Sequence, residues 1–445
     1  MERLLFFIKK IIPQRLFKSI QPAYHFLLAF FSAAFYGFPS NKLIVIGVTG
    51  TSGKTTSVYL ISKMLESAGY KVGFTSTAMF KIGSEEWLND KKMTMVGRFF
   101  TQKMLKKMVQ ADCRYAVIET TSQGIEQFRH RFINYDALIF TNLYPEHIEA
   151  HGGFINYKNA KGKLFSHLSR CRHKIIRGKK ISKTIIVNND DEHAAYFLNF
   201  PADKKITFSV SGIEFKNSKK IFPLDSFIEE DGKGSSFILE KISFFLSLPG
   251  KFNFYNALSA ISVGLNEEIS LSAIKDGLNK ITGVPGRFEK IDEGQNFTVI
   301  IDYAFEPNAV SKLYEAAKKI PHKKIIHILG STGGGRDISR RPILGEIAGK
   351  NSDIVIITNE DPYDDDPEEI INAVALGAEN SGKKLQENLF KILDRREAIK
   401  KAFSLAAEGD LVLITGKGSE QAICVAGGKK IPWDDRLVAR EELKK

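Results

Sequence analysis

Leu43-Ile44-Val45-Ile46-Gly47-Val48-Thr49-Gly50-Thr51-Ser52-Gly53-Lys54-Thr55-Thr56 decides the fold. A β-branched apolar run meets a glycine-rich turn, and the turn meets Lys-Thr-Thr and a helical pattern (Val58, Leu60, Ile61, Met64, Leu65). Strand, loop, helix is the order a phosphate cradle needs. Glycines let backbone N–H groups approach phosphate oxygens, and the helix N-terminus faces the anion. Lys54 reaches the outer phosphates and Thr55 offers a hydroxyl to Mg²⁺. The strict pattern wants glycine five residues before Gly53, where this chain has Val48; Gly47 and Gly50 are expected to supply the turns. The stretch Gly50, Thr51, Ser52, Gly53, Lys54, Thr55 and Thr56 is read as a nucleoside triphosphate site.

Outward from it the chain is long enough, at 445 residues, for two or three domains. Its net charge of +13 fits nucleic acid, a membrane surface or anionic small substrates. The one dense basic run, Arg170–Lys183, has no interleaved aromatics and reads as a solvated loop rather than a nucleic-acid groove. Cys113, Cys171 and Cys424 are far apart with no paired spacing, so neither a disulfide framework nor a zinc site is expected. Cys113 and Cys424 adjoin apolar runs and read as core, in a reducing, cytoplasmic protein.

Residues 1–41 are apolar and aromatic with basic punctuation, broken by Pro13 and Pro22. No small-residue cleavage site precedes Leu43, and Ala23–Phe38 falls short of the roughly 20 apolar residues that a membrane span needs. Two short amphipathic helices packing on the body are expected, with contact to a membrane surface as the alternative. From Lys42 strands alternate with helices: Leu43–Val48, Ser57–Ala68, Lys71–Phe74, Phe99–Gln110, Tyr115–Glu119, Ala137–Thr141 and Thr184–Val187. Residues 200–248 suggest a β-rich excursion, and a helix follows through Ala257, Ala260 and Val263. Gly283, Pro285 and Gly286 mark a boundary. A second α/β pattern follows, with strands at Thr298–Asp302, Lys324–Leu329, Ile354–Thr358 and Leu411–Thr415. The fold class is therefore α/β, a P-loop domain with a mostly parallel sheet (42–281) and a C-terminal Rossmann-like domain (282–445). Ligands of such sheets sit at the carboxyl ends of their strands.

The strand ends carry the polar residues. Glu119 closes Tyr115–Ile118, where a carboxylate reaches a Mg²⁺ beside the γ-phosphate. His147 follows another strand end, in Asn142-Leu143-Tyr144-Pro145-Glu146-His147. Gly330-Ser331-Thr332-Gly333-Gly334-Gly335-Arg336-Asp337, with Arg340 and Arg341, reads as a lid for phosphate or carboxylate, because guanidinium forks bind both. Two halves of this kind suggest a cleft where a nucleotide meets an amine or carboxylate substrate.

Taken together these motifs resemble the Mur ligases, ATP-dependent amino-acid ligases of bacterial cell-wall synthesis, and among them the UDP-N-acetylmuramoyl-tripeptide synthetase type. The motifs stand in family order: Gly50–Thr56, Glu119-Thr120-Thr121-Ser122, Thr141-Asn142-Leu143 with Glu146-His147, and Tyr157-Lys158-Asn159-Ala160-Lys161. Phe252-Asn253 with Asn256, Gly286-Arg287-Phe288-Glu289 and Asp302-Tyr303-Ala304 follow. Gly335-Arg336-Asp337, Asp361-Pro362 and Gly416-Lys417-Gly418-Ser419-Glu420 complete the series. The resemblance implies peptide-bond formation through an acyl phosphate, from ATP, Mg²⁺, a muramoyl peptide and an amino acid. It implies that Lys54 binds phosphate, that Thr55 and Glu119 hold Mg²⁺, that His147 serves a second Mg²⁺, and that Lys161 is carbamylated into a metal-binding anion. Asn256, Arg287 and Asp302 would contact the nucleotide. Thr94, Ser122, Gln127 and Arg129 would contact the muramoyl substrate, and Gly416 and Glu420, with Asp361 and Arg336 nearby, the incoming amino acid.

The chain also departs from the family. About forty apolar residues stand where a uridine-binding domain is usual, so both a UDP-linked and a lipid-linked or otherwise modified acceptor stay open. Family histidines are replaced by Gln123, Phe305 and Ser419, and the Asp-His pair reads Glu146-His147. The diaminopimelate-type Asp-Asn-Pro-Arg reads Glu360-Asp361-Pro362-Tyr363, which argues against a diaminopimelate pocket. Glu360, Asp361 and Asp364–Asp366 favour a cationic tail such as that of lysine, or form a solvated turn. A folylpolyglutamate-synthase-like ligase and a catalytically silent nucleotide-binding regulator with a membrane partner are the alternatives.

Overall fold

The computed structural model describes residues 14–146, 148–211, 218–221, 229–230, 234–336 and 338–445. His147 and Asp337, both singled out in the sequence, lie outside the described residues, as do residues 1–13.

The strand Ile44–Thr49 runs through the middle of a sheet. Its neighbours on one side are Tyr115–Glu119, Val72–Thr75, Met79–Ile82 and Glu85–Leu88. On the other side lie Ala137–Phe140, Thr184–Asn188, Lys204–Phe208 and Lys219–Ile221. All pairings are parallel except the last two on the Glu85–Leu88 edge. A parallel sheet is covered on both faces, and the central strand shows it residue by residue. Ile44, Ile46 and Val48 enter a core under the helices Lys54–Ser67, Lys251–Asn266 and Leu271–Asn279. Leu43 and Val45 enter the opposite core, under Arg98–Gln110 and Phe154–Leu168.

Val48, out of place for a strict P-loop, is a fully buried strand residue paired with Glu119 and Ile139. Gly47 is also inside the strand, so the expectation that it supplies a turn is corrected. A Cβ there would come within 2.8 Å of the Tyr135 ring, and the glycine serves packing. Gly50, at φ +154°, begins the turn.

The C-terminal sheet runs in the order Glu289–Ile291, Thr298–Ile301, Leu411–Ile414, Ile325–Leu329, Ile354–Thr358, Leu389–Ile392. It is parallel except for its first pairing. The helices Arg340–Asn351 and Pro367–Asn380 cross on it with their backbones in contact. A Cβ on Gly345 would lie 1.8 Å from the Val374 carbonyl oxygen, and one on Gly377 would lie 1.8 Å from that of Pro342. No side chain larger than hydrogen fits at either crossing point.

Two further expectations need correction. Pro22 does not divide the N-terminal segment, since one helix, Gln14–Phe35, runs through it. The ring removes one backbone hydrogen bond. Ala29, Ser32 and Ala33, on the face packed against the body, are buried and anchor the helix on the C-terminal side of that gap. The Arg170–Lys183 run is solvated at Arg170, Arg172, His173, Arg177, Lys179 and Lys180, as expected, but it is not a loop throughout. It forms the hairpin Lys174–Ile176 and Lys179–Ile181, and Lys174 and Lys183 are buried on Asp136. Asp136 also accepts the Val45 N–H at 2.8 Å, so this knot anchors the start of the central strand. Cys113 and Cys424 are buried, as expected.

Candidate active site

The loop after Ile44–Thr49 is held open by the next strand end. Thr141 Oγ1 donates to the Ser52 carbonyl at 2.7 Å, and the Ser52 N–H donates to Asn142 Oδ1 at 2.9 Å. Thr51 Oγ1 meets the Tyr157 hydroxyl at 3.0 Å. Gly53 caps the helix Lys54–Ser67 at φ +78° with no side-chain cap, which leaves the first helical N–H groups facing the loop. A Cβ on Gly53 would lie 2.3 Å from Asn256 Oδ1, so helix Lys251–Asn266 closes against the loop only because a glycine is there. Lys54 folds back onto the Thr51 carbonyl at 2.7 Å. Burial lowers its pKa, and the nearby Glu119 opposes that fall.

The strand register puts Glu119 beside this loop. Its Oε2 accepts Thr55 Oγ1 at 2.9 Å and the Thr77 N–H at 2.8 Å, and its Oε1 accepts Thr77 Oγ1 at 3.0 Å. Thr94 Oγ1 lies 2.9 Å from Thr77 Oγ1, a hydrogen bond that joins a residue expected at the acceptor to the expected metal wall. Arg287 reaches across from the C-terminal half, with Nη2 3.4 Å from Thr55 Oγ1 and its guanidinium 4.2 Å over the Tyr303 ring. Asp302 is half-buried, and its two oxygens already take the Phe288 and Ala304 N–H groups, both at 2.7 Å. Burial raises its pKa.

Lys161 is buried, donates to the Gly50 carbonyl at 2.7 Å and lies 4.5 Å from the Tyr157 ring centre. Among the described residues no carboxylate pairs with it. Burial, and then the charge of Lys54, push its pKa well below the ordinary lysine value. A neutral buried amine is the form that adds CO₂. Oxygen donors beside a phosphate loop suit a hard cation. Among the described residues no cluster of three His, Cys, Asp or Glu exists.

The facing wall comes from the C-terminal strand ends. Asp361 and Glu420 stand together there with Lys417 and Lys92 between them. Arg336 is exposed at the rim, its Nη2 3.3 Å from the Tyr363 hydroxyl. Arg340 and Arg341 do not form the expected lid. Both are buried; Arg340 donates to Thr332 Oγ1 and faces Glu146 at 3.6 Å, and Arg341 pairs with Asp365 at 3.2 Å. The acidic run divides as well. Asp364 accepts the Gly427 N–H, Asp366 caps the helix Pro367–Asn380, and Glu360 is buried with its pKa raised by burial.

All the expected site residues that are described line one cleft of about 1380 Å³ between the two sheets. Ser122, Gln127 and Arg129 form its far end. Ser122 Oγ meets His151 Nε2 at 3.0 Å, and Arg129 donates to Gln127 Oε1 at 2.5 Å and to the Met95 carbonyl. Thr77, Lys92 and His151 were not foreseen. Thr77 and Lys92 sit in loops around an edge hairpin, and no sequence pattern marks them.

Known proteins resemble this chain over most of its length. The Mur ligase middle domain matches residues 48–264, and the Mur ligase, glutamate ligase domain matches residues 286–418. A UDP-N-acetylmuramyl-tripeptide synthetase of Roseiflexus sp. is 37% identical over 424 residues, covering 94% of this chain and 81% of that protein. The chain belongs to the Mur ligase family. This Mur ligase is accordingly an ATP-dependent ligase that forms an amide bond in peptidoglycan synthesis. The 2,6-diaminopimelate ligase 1 of Clostridium acetobutylicum is 36% identical, over 94% of this chain and 81% of its own length. A solved UDP-N-acetylmuramoyl-L-alanyl-D-glutamate–2,6-diaminopimelate ligase superposes with a TM-score of 0.58 at 27% identity, covering 90% of this Mur ligase and 78% of that chain. Mycobacterium tuberculosis folylpolyglutamate synthase, complexed with ADP and AMPPCP, superposes at 0.66 with 16% identity over 91% of this chain and 95% of its own, which is a likeness of fold.

Proposed function

We propose that this Mur ligase, working through units 42–281 and 282–445, adds an amino acid with a cationic side chain to a muramoyl peptide. The observation that carries the reading is one cleft with two unlike walls. Lys54, Thr55, Glu119 and Lys161 gather around the phosphate loop, and Asp361 and Glu420 face them from the other sheet.

In the first step an acceptor carboxylate oxygen attacks the γ-phosphorus, and the bond to the β,γ-bridging oxygen breaks. ADP leaves and an acyl phosphate forms. Lys54 and the N–H groups of the phosphate loop hold the charge that develops on the phosphate oxygens. Arg287 closes the same site from the opposite unit. Thr55, Glu119 and carbamylated Lys161, with His147, would hold Mg²⁺, which when bound neutralises the phosphate oxygens. Ser122, Gln127, Arg129 and Thr94 orient the acceptor. In the second step the amine attacks the acyl carbon, a proton leaves the nitrogen, and the tetrahedral intermediate expels phosphate. The carboxylates at Asp361 and Glu420 hold the tail of the amino acid so that its amine meets the acyl phosphate. Tyr363, where a diaminopimelate pocket carries arginine, supports a tail without a distal carboxylate.

The test is phosphate release over an amino-acid panel with UDP-linked and UDP-free muramoyl acceptors. ADP and phosphate are expected only when ATP, an acceptor and a cationic amino acid are present together. Turnover with diaminopimelate but not lysine would overturn the choice of amino acid, and no turnover with any pair would overturn the whole reading.

The protein is proposed to work in the cytoplasm, at the inner face of the membrane. Leu27, Phe31 and Phe35 of the helix Gln14–Phe35 are 52%, 58% and 75% exposed, and Phe99 beside them is 42% exposed. The charged residues of the helices Gln14–Phe35 and Arg98–Gln110 are all basic. No acidic residue occurs between Arg3 and Leu65 or within Arg98–Gln110, where Lys103 and Lys107 are exposed. An anionic lipid surface fits that combination. Among the described residues no helix is long and apolar enough to cross a membrane.

A further inference from the structure

Two carboxylates and two ammonium groups form a closed ring at the C-terminal wall of the cleft. Asp361 Oδ1 accepts Lys417 Nζ at 2.9 Å and the Cys424 N–H at 2.7 Å, and its Oδ2 accepts Lys92 Nζ at 2.7 Å. Glu420 Oε2 accepts Lys417 Nζ at 2.8 Å and also Lys92 Nζ, while its Oε1 takes the Tyr303 hydroxyl at 3.3 Å. The charges cancel, two against two.

The two lysines are not equivalent. Lys417 is fully buried and belongs to the same loop as Glu420, so it is a fixed corner of the wall. Lys92 comes from the other unit, in the segment after the strand Glu85–Leu88, and its neighbours Lys91 and Met93 are exposed. Only its side chain is deeply buried, at 4% exposure. Its backbone is left-handed at φ +53°, a conformation that is strained for a non-glycine residue. The ion pairs at the tip of the side chain offset that strain.

We propose that Lys92 is an internal stand-in for the substrate, its ammonium filling the place that the side-chain ammonium of the incoming amino acid takes in the working complex. The inference rests on the reading of Asp361 and Glu420 as the amino-acid wall. Removing Lys92 alone would leave two neighbouring carboxylates with one cation, which like-charge repulsion disfavours. Another cation restores the balance, and a neutral or anionic tail does not. Exchange of one ammonium for another therefore makes Lys92 a specificity-determining residue, because only a cationic tail can displace it without leaving a bare charge. Two residues on, Thr94 joins the Glu119 network through Thr77, so the segment that vacates the pocket also reaches the nucleotide wall.

The test compares the full-length protein with Lys92→Asn, since asparagine tolerates the left-handed backbone and carries no charge. L-Lysine binding is measured by calorimetry, with L-norleucine as the neutral control of similar length. Lys92→Asn is expected to tighten L-lysine binding about tenfold or more, equal to about 1.4 kcal/mol, with no effect on L-norleucine. Lys92→Arg, which retains a competing cation, should show no gain. Hydrogen exchange on the wild-type protein gives a readout that needs no variant: amides of residues 89–95 should exchange faster with saturating L-lysine and not with L-norleucine. Unchanged or weaker L-lysine binding in Lys92→Asn, or unchanged exchange in the wild type, overturns the stand-in. If another amino acid is ligated while L-lysine neither binds nor alters exchange, the exchange model falls and the ligase reading stands. If L-lysine binds and releases the segment but no amino acid is ligated, the stand-in survives and the ligase reading falls.

Discussion

Thr55 Oγ1 donates to Glu119 Oε2 at 2.9 Å, which ties the first turn of the phosphate-loop helix to the carboxylate at the end of the neighbouring strand. Parallel register produces the contact, because Val48, at the root of the loop, pairs with Glu119. Glu119→Gln keeps the shape and removes the charge. The expected result is a kcat about 10²–10³ lower, with thermal stability nearly unchanged. Phosphate release as a function of Mg²⁺ concentration checks it, and the half-saturating Mg²⁺ should rise.

Lys161 is buried against the Gly50 carbonyl, and burial together with the charge of Lys54 lowers its pKa well below the ordinary lysine value, which favours the neutral amine that adds CO₂. Lys161→Ala should abolish ligation, and formate or acetate should restore part of it by returning an anion to the gap. Wild-type enzyme in CO₂-depleted buffer should lose activity and regain it with bicarbonate. Mass spectrometry under mild conditions should find the added carbamate on Lys161.

Asp361→Asn and Glu420→Gln each remove one charge from the ring with Lys92 and Lys417. Each should raise KM for L-lysine about tenfold or more while changing kcat less, as expected for a group that binds the ground and transition states alike. Tyr363→Arg should bring in measurable use of diaminopimelate, since a guanidinium there can pair with a distal carboxylate.

His167 donates Nε2 to the Ile133 carbonyl at 2.9 Å, and burial brings its pKa down to about 4 from 6.5. Its neighbour His130 is shifted in the same direction by burial. Between pH 6.5 and 4 the unfolded chain binds a proton that the folded chain refuses. The contribution is therefore complete above pH 6.5 and is lost as pH falls toward 4, by about 1–3 kcal/mol at about 1.4 kcal/mol per pH unit. Urea unfolding at pH 7 and 4.5 should show this loss, and His167→Gln should show a smaller one.

The helix Gln14–Phe35 should bind vesicles containing anionic lipid and not purely zwitterionic ones, and added salt should weaken the binding. Phe31→Asp with Phe35→Asp should abolish co-flotation and leave ligase activity on a soluble acceptor intact.

Much of this was legible in the sequence because the decisive signals are local. The run Leu43–Val48 identifies a strand, Gly50–Thr56 a cradle, and the strands Tyr115–Glu119 and Ile354–Thr358 fall where the apolar runs put them. What stayed hidden depends on distant partners. Lys174 and Lys183 read as solvated until Asp136 is seen beneath them, and Arg340 and Arg341 read as a lid until Glu146 and Asp365 are seen beside them. Pro22 suggested a break, but the helix Gln14–Phe35 runs through it. Lys92 has no local mark at all, because its meaning lies in two carboxylates 269 and 328 residues further along the chain.

The backbone contact at Gly345 and Gly377 has a bearing on inheritance. The helices that meet there leave the ends of the strands Ile325–Leu329 and Ile354–Thr358, whose loops carry Arg336 on one side and Asp361 and Tyr363 on the other. A methyl group at either glycine would spread the helices and tilt those loops relative to each other. The geometry of the amino-acid pocket is thus exposed to mutation at two positions that touch no ligand. A lineage could lose or retune its amino acid there without altering a single residue of the pocket wall.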